Sequence, residues 1–292
     1  MRAIETLSGQ HAIAILCRVL GVNRSTYYKY LRRQPSRREA ENVEIRRRIL
    51  ELYARSDKRL GPKKMTLCLA REHCIHISEG RVYRLMKEMN LPKMSTVKPP
   101  RAAAGKTESG SCPNLLAQKF DQEAPNMVWV SDFTYVKVAG RFCYICVILD
   151  LYARKVIACR VSNRIDRVLA IDTLRDAAHL RGETKGVLFH SDRGSQFTSL
   201  DFRRVIDELG MVQSFSAKGH PYDNAVMECF FKYLKKEELN RRCYQSLDQL
   251  KQSLLSYISG FYNSHRPHSH NHGLSPNQAE FHFFHLSTCP LY

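Results

Sequence analysis

At 292 residues, 43% hydrophobic and 25% charged, the chain has enough apolar sequence for one sizeable core plus one or two small units, which excludes a disordered or fibrous protein. Its 46 Lys and Arg against 28 Asp and Glu give a formal charge of +18, and residues 1–101 alone hold 23 basic against nine acidic side chains. A basic first third on a near-neutral body points to a polyanion partner, because each phosphate contact releases condensed counterions.

Residues 1–34 contain HAIAILCRVLGVNRSTYYKYLRR, which reads as a helix, a turn at Gly21 and a second helix opened by Asn23 or Ser25. That is the shape of a helix-turn-helix, with Arg24, Thr26, Tyr27 and Lys29 near the front of the second helix. Residues 35–92 repeat the idea. EIRRRILELYARS is one amphipathic helix, and GPKKMTLCLARE and SEGRVYRLMKEMNL form a helical pair across HCIHI. Ser78 is the expected N-cap, and Val82, Leu85, Met86 and Met89 recur at core spacing, leaving Arg81 and Arg84 as DNA-contact candidates. Residues 93–125 open with KMSTVKPPRAAAGKTESGSCPN, lose all periodicity and read as a linker.

The pattern then changes to strands. MVWVSDFTYVKV, an AG turn and RFCYICVILDLY read as a β-hairpin, and KVIACRVS as a third strand. A helix (DRVLAIDTLRDAAHLR), a short buried strand (GVLFHSD), a helix (SLDFRRVIDELGM) and a fifth strand (VQSFSA) follow. Two further helices come from GHPYDNAVMECFFKYLKKE and SLDQLKQSLLSYISGFYNSH, before a His- and Pro-rich stretch. The expected fold is α/β, a ribonuclease H-like core over residues 126–285 with a five-stranded mixed sheet and flanking helices. It follows an all-α helix-turn-helix region, and residues 286–292 read as a tail.

Ten cysteines form no framework. The pair Cys143 and Cys146 lies on a predicted strand, where residues three apart face opposite ways, so buried free thiols are expected. No second pair stands at zinc-finger spacing from CLAREHCIH. No apolar stretch approaches the ~20 residues of a membrane span, and the first residues lack a signal pattern; the expected location is the bacterial cytoplasm, at the nucleoid.

Three carboxylates fall at meaningful places. Asp132 lies on the first strand, Asp192 ends the fourth, and Glu228 lies on the helix after the fifth. Converging carboxylates repel one another unless cations neutralise them, and an all-oxygen cluster suits Mg²⁺ or Mn²⁺. Two such ions about 3.5–4 Å apart can activate an attacking oxygen and stabilise a leaving one in a phosphodiester displacement. Spacing alone is weak with 28 acids in the chain; the contexts carry the signal.

Those contexts are WVSDFTYV, HSDRGSQFTS, GHPYDNAVMECFFKYLKKE and YNSHRPHSHNHGLSPNQA, preceded by LGVNRSTYY and RVYRLMKEMNL. In this order they resemble the blocks of insertion-sequence DDE transposases, most closely the second-reading-frame (OrfB) protein of the family named for insertion sequence three. The resemblance runs over nearly the whole chain. It implies a retroviral-integrase-like core and Asp132, Asp192 and Glu228 as the ligands of two Mg²⁺ ions. It also implies Lys235 as a DNA contact, in keeping with a position two helical turns past Glu228 on the same face. Asn224 shares that face as a contact to substrate or an orderer of the loop.

As partners the resemblance implies element ends and target DNA, a homo-oligomer on paired ends, and frameshift fusion with an upstream OrfA protein. His190 and Ser191 read as shaping the strand end, Asp150 as structural, Asp223 as an N-cap, and the histidines of residues 265–272 as a surface turn or phosphate contacts. RLGPKKM stands where the family more often has a YGYRRI-like block, which leaves end recognition and subgroup open. Two other readings stay open as well: a helix-turn-helix regulator with a degenerate core, and a nuclease acting on RNA–DNA hybrids.

Overall fold

The computed structural model describes residues 1–32, 34–92, 113–217 and 221–286. Three helices, α1 (Arg2–Leu7), α2 (Ile13–Val19) and α3 (Arg24–Leu31), gather around Ile4, Leu16, Cys17 and Tyr27. The Asn23 side chain accepts from the Ser25 N–H and starts α3, as an N-cap should. Next come α4 (Arg37–Arg55), α5 (Pro62–His73) and α6 (Glu79–Glu88). α4 opens on a full capping box between Ser36 and Glu39, and α6 on Ser78, whose hydroxyl accepts from the Arg81 N–H.

The sheet follows as β1 (Val128–Val138), β2 (Arg141–Asp150), β3 (Lys155–Ser162), β4 (Leu188–Ser191) and β5 (Val212–Phe215). Its order is β3-β2-β1-β4-β5. The first three strands pair antiparallel, and β1, β4 and β5 run parallel. Ala139 and Gly140 both take positive φ (46° and 81°) between Val138 and Arg141, the two-residue turn that matches strand twist. α7 (Arg167–Arg181), α8 (Ser195–Thr198) and α9 (Leu200–Glu208) connect the later strands; α10 (Ala225–Glu237), α11 (Leu247–Leu255) and α12 (Pro276–Leu286) complete the chain. Between α11 and α12, the segment expected to finish one long helix winds as a π-helix over Ser256–Tyr262, burying Tyr257, Ile258, Phe261 and Tyr262.

Alternation along β1 sorts its side chains between two cores. Trp129 joins the face covered by α7 and α9, while Val128 and Val130 join the face covered by α10 and α11. Met227, Phe230, Phe231 and Leu234 of α10 share that second core, each worth about 1.5–3 kcal/mol relative to exposure. The same core takes in Ile49 and Leu52 of α4, Met65 and Leu69 of α5, and Val82 and Leu85 of α6. Helices α4–α6 are therefore packed into the sheet's core, whereas α1–α3 keep a small cluster of their own.

Residues 93–112, the greater part of the expected linker, lie outside the described residues, as do 287–292 of the tail. Residues 113–125 do not behave as their composition suggests. Pro113 O accepts from the Phe215 N–H, the Leu115 and Leu116 N–H groups donate to Ser214 Oγ, and Leu116 is buried. Sequence without periodicity can still be held by backbone hydrogen bonds, which leave no periodic mark.

Candidate active site

Strand register brings the first two carboxylates together. β1 and β4 pair in parallel through Val130 and His190. Two residues further along each strand direction stand Asp132 and Asp192, at one level and towards the face of Val130 that α10 covers. Asp132 remains on β1 after β4 has ended at Ser191. This is the crevice at the carboxyl ends of parallel strands, where open α/β sheets place their ligands.

The third carboxylate comes from α10. The Asn224 amide donates to Ser131 O at 3.4 Å and ties the start of the helix beside Asp132. Met227, Phe230, Phe231 and Leu234 seat the helix, and Glu228, one turn beyond Asn224, is left exposed. Burial raises the Asp132 carboxyl to about 7, with the charges of Asp192 and Glu228 adding to it; the Phe133 N–H (2.7 Å) and Lys235 pull the other way. Asp192 stands at the open rim, yet the protein around it thins its hydration and raises its carboxyl, against the Gly194 N–H it accepts at 3.0 Å. Lys235 Nζ lies 5.1 Å from the centre of the Tyr135 ring; burial lowers its affinity for a proton, and the Asp132 charge sustains it.

Among the described residues no three His, Cys, Asp or Glu side chains close around a single point as a metal shell would. Asp132, Asp192 and Glu228 are electrostatic neighbours. Their chemistry nevertheless fits a hard divalent cation. All donors are oxygen, the burial and the neighbouring charges that raise Asp132 are what a cation offsets, and Asn224 Oδ1 beside them is buried without a hydrogen-bond partner.

Around this centre the supporting residues take roles the sequence only partly foretells. His190 is fully buried, its Nδ1 2.9 Å from Ser214 Oγ and its Nε2 3.2 Å from Ser216 Oγ. Ser214 already accepts two backbone N–H groups, so its hydroxyl proton goes to Nδ1 and the imidazole is the Nε2–H tautomer. Burial pushes its pKa down to about 4, offset in part by Asp223. His190 thus shapes the strand end, as expected.

Asp223 does not cap α10: its carboxylate accepts from the Asn114 and Gln118 amides and the Ala217 N–H, all at 2.8 Å, fastening residues 113–118 to β5. Asp150 is structural, accepting from the Asn126 and Tyr152 N–H groups. Cys143 and Cys146 are buried free thiols. The His and Pro stretch is more than a surface turn. Arg266 is buried, His270 Nε2 lies 2.9 Å from Tyr152 O, and the Asn271 amide donates to Ala153 O.

The other basic candidates stand apart from the carboxylates. Arg24 and Lys29 are exposed on α3, and Arg84 is exposed on α6. Arg81 is engaged within the protein, with Asn42 Oδ1 at 2.9 Å and Glu41 at 3.1 Å, binding α6 to α4.

Two residues, one beside the carboxylates and one at the other end of α10, escaped the sequence reading. A side chain at Gly194 would place its Cβ 3.0 Å from Asp192 Oδ1, so the glycine keeps the carboxylate's bond to the backbone. Glu237, at the far end of α10, is 2% exposed and bonded to Arg266, Lys64 and Tyr257. Its position continues the stripe of Met227, Phe230 and Leu234, a signal readable from spacing alone.

An Integrase core domain family matches residues 122–221 and again 209–276, and an HTH-like domain family matches residues 39–99. The transposase InsF for insertion sequence IS3A of Escherichia coli is 32% identical over 284 residues, 95% of this chain and 96% of the relative. The chain belongs to the IS3 family of insertion-sequence transposases. Similar coverage holds for the transposase for insertion sequence element IS904 of Lactococcus lactis, 32% identical over 86% of this chain and 98% of the relative. An uncharacterized 31 kDa protein of insertion element IS600 from Shigella sonnei is 34% identical over 89% and 96%. Among solved structures, the catalytic core domain of BIV integrase is 18% identical over 56% of this chain and 99% of that one, with a TM-score of 0.42. By its family and its integrase core match, this transposase is a polynucleotidyl transferase of the DDE class, built on a mixed five-stranded sheet with flanking helices. Among the described residues no helix is long and apolar enough to cross a membrane.

Proposed function

We propose that this transposase cuts and joins insertion-sequence DNA ends at Asp132, Asp192 and Glu228, which would hold two Mg²⁺ or Mn²⁺ ions. The observation that carries this reading is the parallel register that sets Asp132 level with Asp192 under the start of α10. Bound there, divalent ions would supply charge neutralisation for the phosphodiester and activation of the attacking oxygen.

The chain's own groups hold and orient. The Phe133 N–H fixes one Asp132 oxygen and the Gly194 N–H one Asp192 oxygen, so both carboxylates arrive pre-aimed. Lys235 brings a positive charge to a backbone phosphate beside them. In the first reaction water attacks the phosphorus at the element end, its proton leaves to solvent, and the 3′ oxygen departs as a hydroxyl. In the second that 3′-hydroxyl attacks another strand, exchanging one phosphodiester for another without a covalent protein link. A copy-out, paste-in course through a circular intermediate, an oligomer on paired ends and fusion with an upstream OrfA protein belong to the same proposal.

The test is strand transfer on a duplex bearing the element's terminal repeat, with Mg²⁺ and with chelator. Wild type is expected to join strands only with metal. Glu228→Gln is expected to lose at least about a thousandfold, about 4 kcal/mol of barrier, while binding the duplex as before. If both proteins bind DNA and neither joins it under any divalent metal, the regulator reading takes over.

A further inference from the structure

A groove of about 830 Å³ runs between α5 and α6 on one side and the last turns of α10 on the other. Lys58, Lys63, Lys87 and Lys236 line it, all exposed and, among the described residues, none in an ion pair. The arginines of neighbouring α4 behave differently, since Arg46, Arg47, Arg48 and Arg55 are each paired with a glutamate. Glu237 on the groove's floor is already bonded to Arg266 and Lys64. Lys64 itself is pushed down to about 8, first by burial and then by the Arg266 charge, with Glu237 offsetting part of it; Glu79 is the other acidic residue of the lining, against the four exposed lysines. Tyr83, 50% exposed, adds an aromatic face on the α6 wall.

Resting on the function proposed above, we infer that this groove carries the DNA strand leading away from the carboxylate centre, its phosphates against Lys63, Lys87 and Lys236 and a base against Tyr83. Charge complementarity selects a polyanion, and the exposed ring selects one with stacking faces. The reach is also right. Glu228 and Lys236 are eight residues apart on one helix, about 12 Å, which a strand rising 3.4 Å per nucleotide spans in about three to four steps. No residue of α3 lines the groove, which would give α5 and α6 a part in holding the strand at the active site.

The experiment separates binding from chemistry. Full-length protein is titrated with a fluorescent terminal-repeat duplex in chelator, over a range of salt. The Lys63→Ala/Lys87→Ala/Lys236→Ala variant is expected to flatten the log–log salt slope by about 2–3, at about 0.9 per phosphate contact. Lys119→Ala/Lys185→Ala, on exposed lysines elsewhere, is expected to leave it unchanged. 5-Iodouracil stepped along the strand should cross-link to Tyr83 within a single short run of positions near the phosphate at the element end and at no distant position. An unchanged slope in a folded triple variant, or cross-links elsewhere only, overturns the inference and leaves the groove to a segment of protein. Because binding is read in chelator, a chain that binds through the groove yet joins no strands when Mg²⁺ is supplied would sink the proposed chemistry and leave the groove assignment standing.

Discussion

The two ends of α10 carry glutamates nine residues apart in opposite circumstances. Glu228 is exposed, raises the carboxyl of a neighbouring aspartate and has Lys235 as the cation further along its helix. Glu237 is buried and fully answered, with Arg266 Nε and Nη2 at 2.8 and 2.9 Å, Lys64 at 2.9 Å and the Tyr257 hydroxyl at 2.9 Å. Next to it, Glu238 accepts from Arg59 and Ser253 and pairs with Arg242. Glu237 is neutralised by the chain itself, whereas Glu228, the proposed ligand, is left for a group that arrives. One helix thus has a locked end, where α5, the α4–α5 loop and the segment after the π-helix converge, and an open end that faces the strand carboxylates.

The largest expected effect comes from breaking the locked end. Arg266→Met takes the bidentate partner from a buried carboxylate, leaves it only Lys64 and the Tyr257 hydroxyl, and should cost about 3 kcal/mol in unfolding free energy. Glu237→Met in the same chain should recover part of that loss, because it removes the buried charge but leaves the Tyr257 hydroxyl and Lys64 without their partner. Glu228→Gln should change stability by less than about 0.5 kcal/mol, or raise it slightly by relieving repulsion. Denaturant unfolding of the four proteins decides the matter, and a Glu228 variant as unstable as Arg266→Met would abolish the distinction between the two ends.

How far the sequence announces this arrangement follows from the range of each interaction. The stripe that seats α10, the hairpin turn at Ala139 and Gly140, and the Asn23 and Ser78 caps are local, and periodicity or turn chemistry reveals them. The positions of Asp132, Asp192 and Glu228 follow from their elements, but their contexts, more than their spacing, single them out. Contacts made across the chain leave no such mark. Lys64 and Glu237 lie 173 residues apart, Arg59 and Glu238 179, and Asn114 and Asp223 109. Asp223 therefore looks like a cap, and residues 113–118 look like linker. Arg81 likewise resembles a free cation on a basic helix until α4 brings Asn42 and Glu41 to it.

A smaller effect sharpens the open end through its supporting histidine. His190, held neutral at about 4 against an ordinary 6.5, binds no proton in the folded protein over the interval in which the unfolded chain takes one up. Its contribution is whole above about pH 6.5 and declines as pH falls towards 4, by about 3 kcal/mol in all. His190→Asn should lose about 1–2 kcal/mol at neutral pH through its two serine contacts. It should then show a shallower further loss than wild type between about pH 7 and about pH 5. Parallel curves for the two proteins would place the acid sensitivity elsewhere.

The smallest effect tests what Lys235 is for. Its charge is coupled to Asp132, and its ammonium lies over the Tyr135 ring, so it can serve the carboxylates, the DNA or both. If it contacts a phosphate, Lys235→Ala should weaken duplex binding about tenfold, about 1.4 kcal/mol, and flatten the salt slope by about 0.9. Whatever it does for DNA, the substitution removes a cation that lowers the Asp132 pKa, so the Asp132 carboxyl should titrate higher in metal-free protein. Lys235→Arg should restore both, because charge rather than a particular shape is what a phosphate and a carboxylate share as a demand. Carboxyl titration followed beside DNA affinity separates the roles: a moved Asp132 with unchanged affinity would assign Lys235 to the charge balance of the open end and remove it from the DNA contacts.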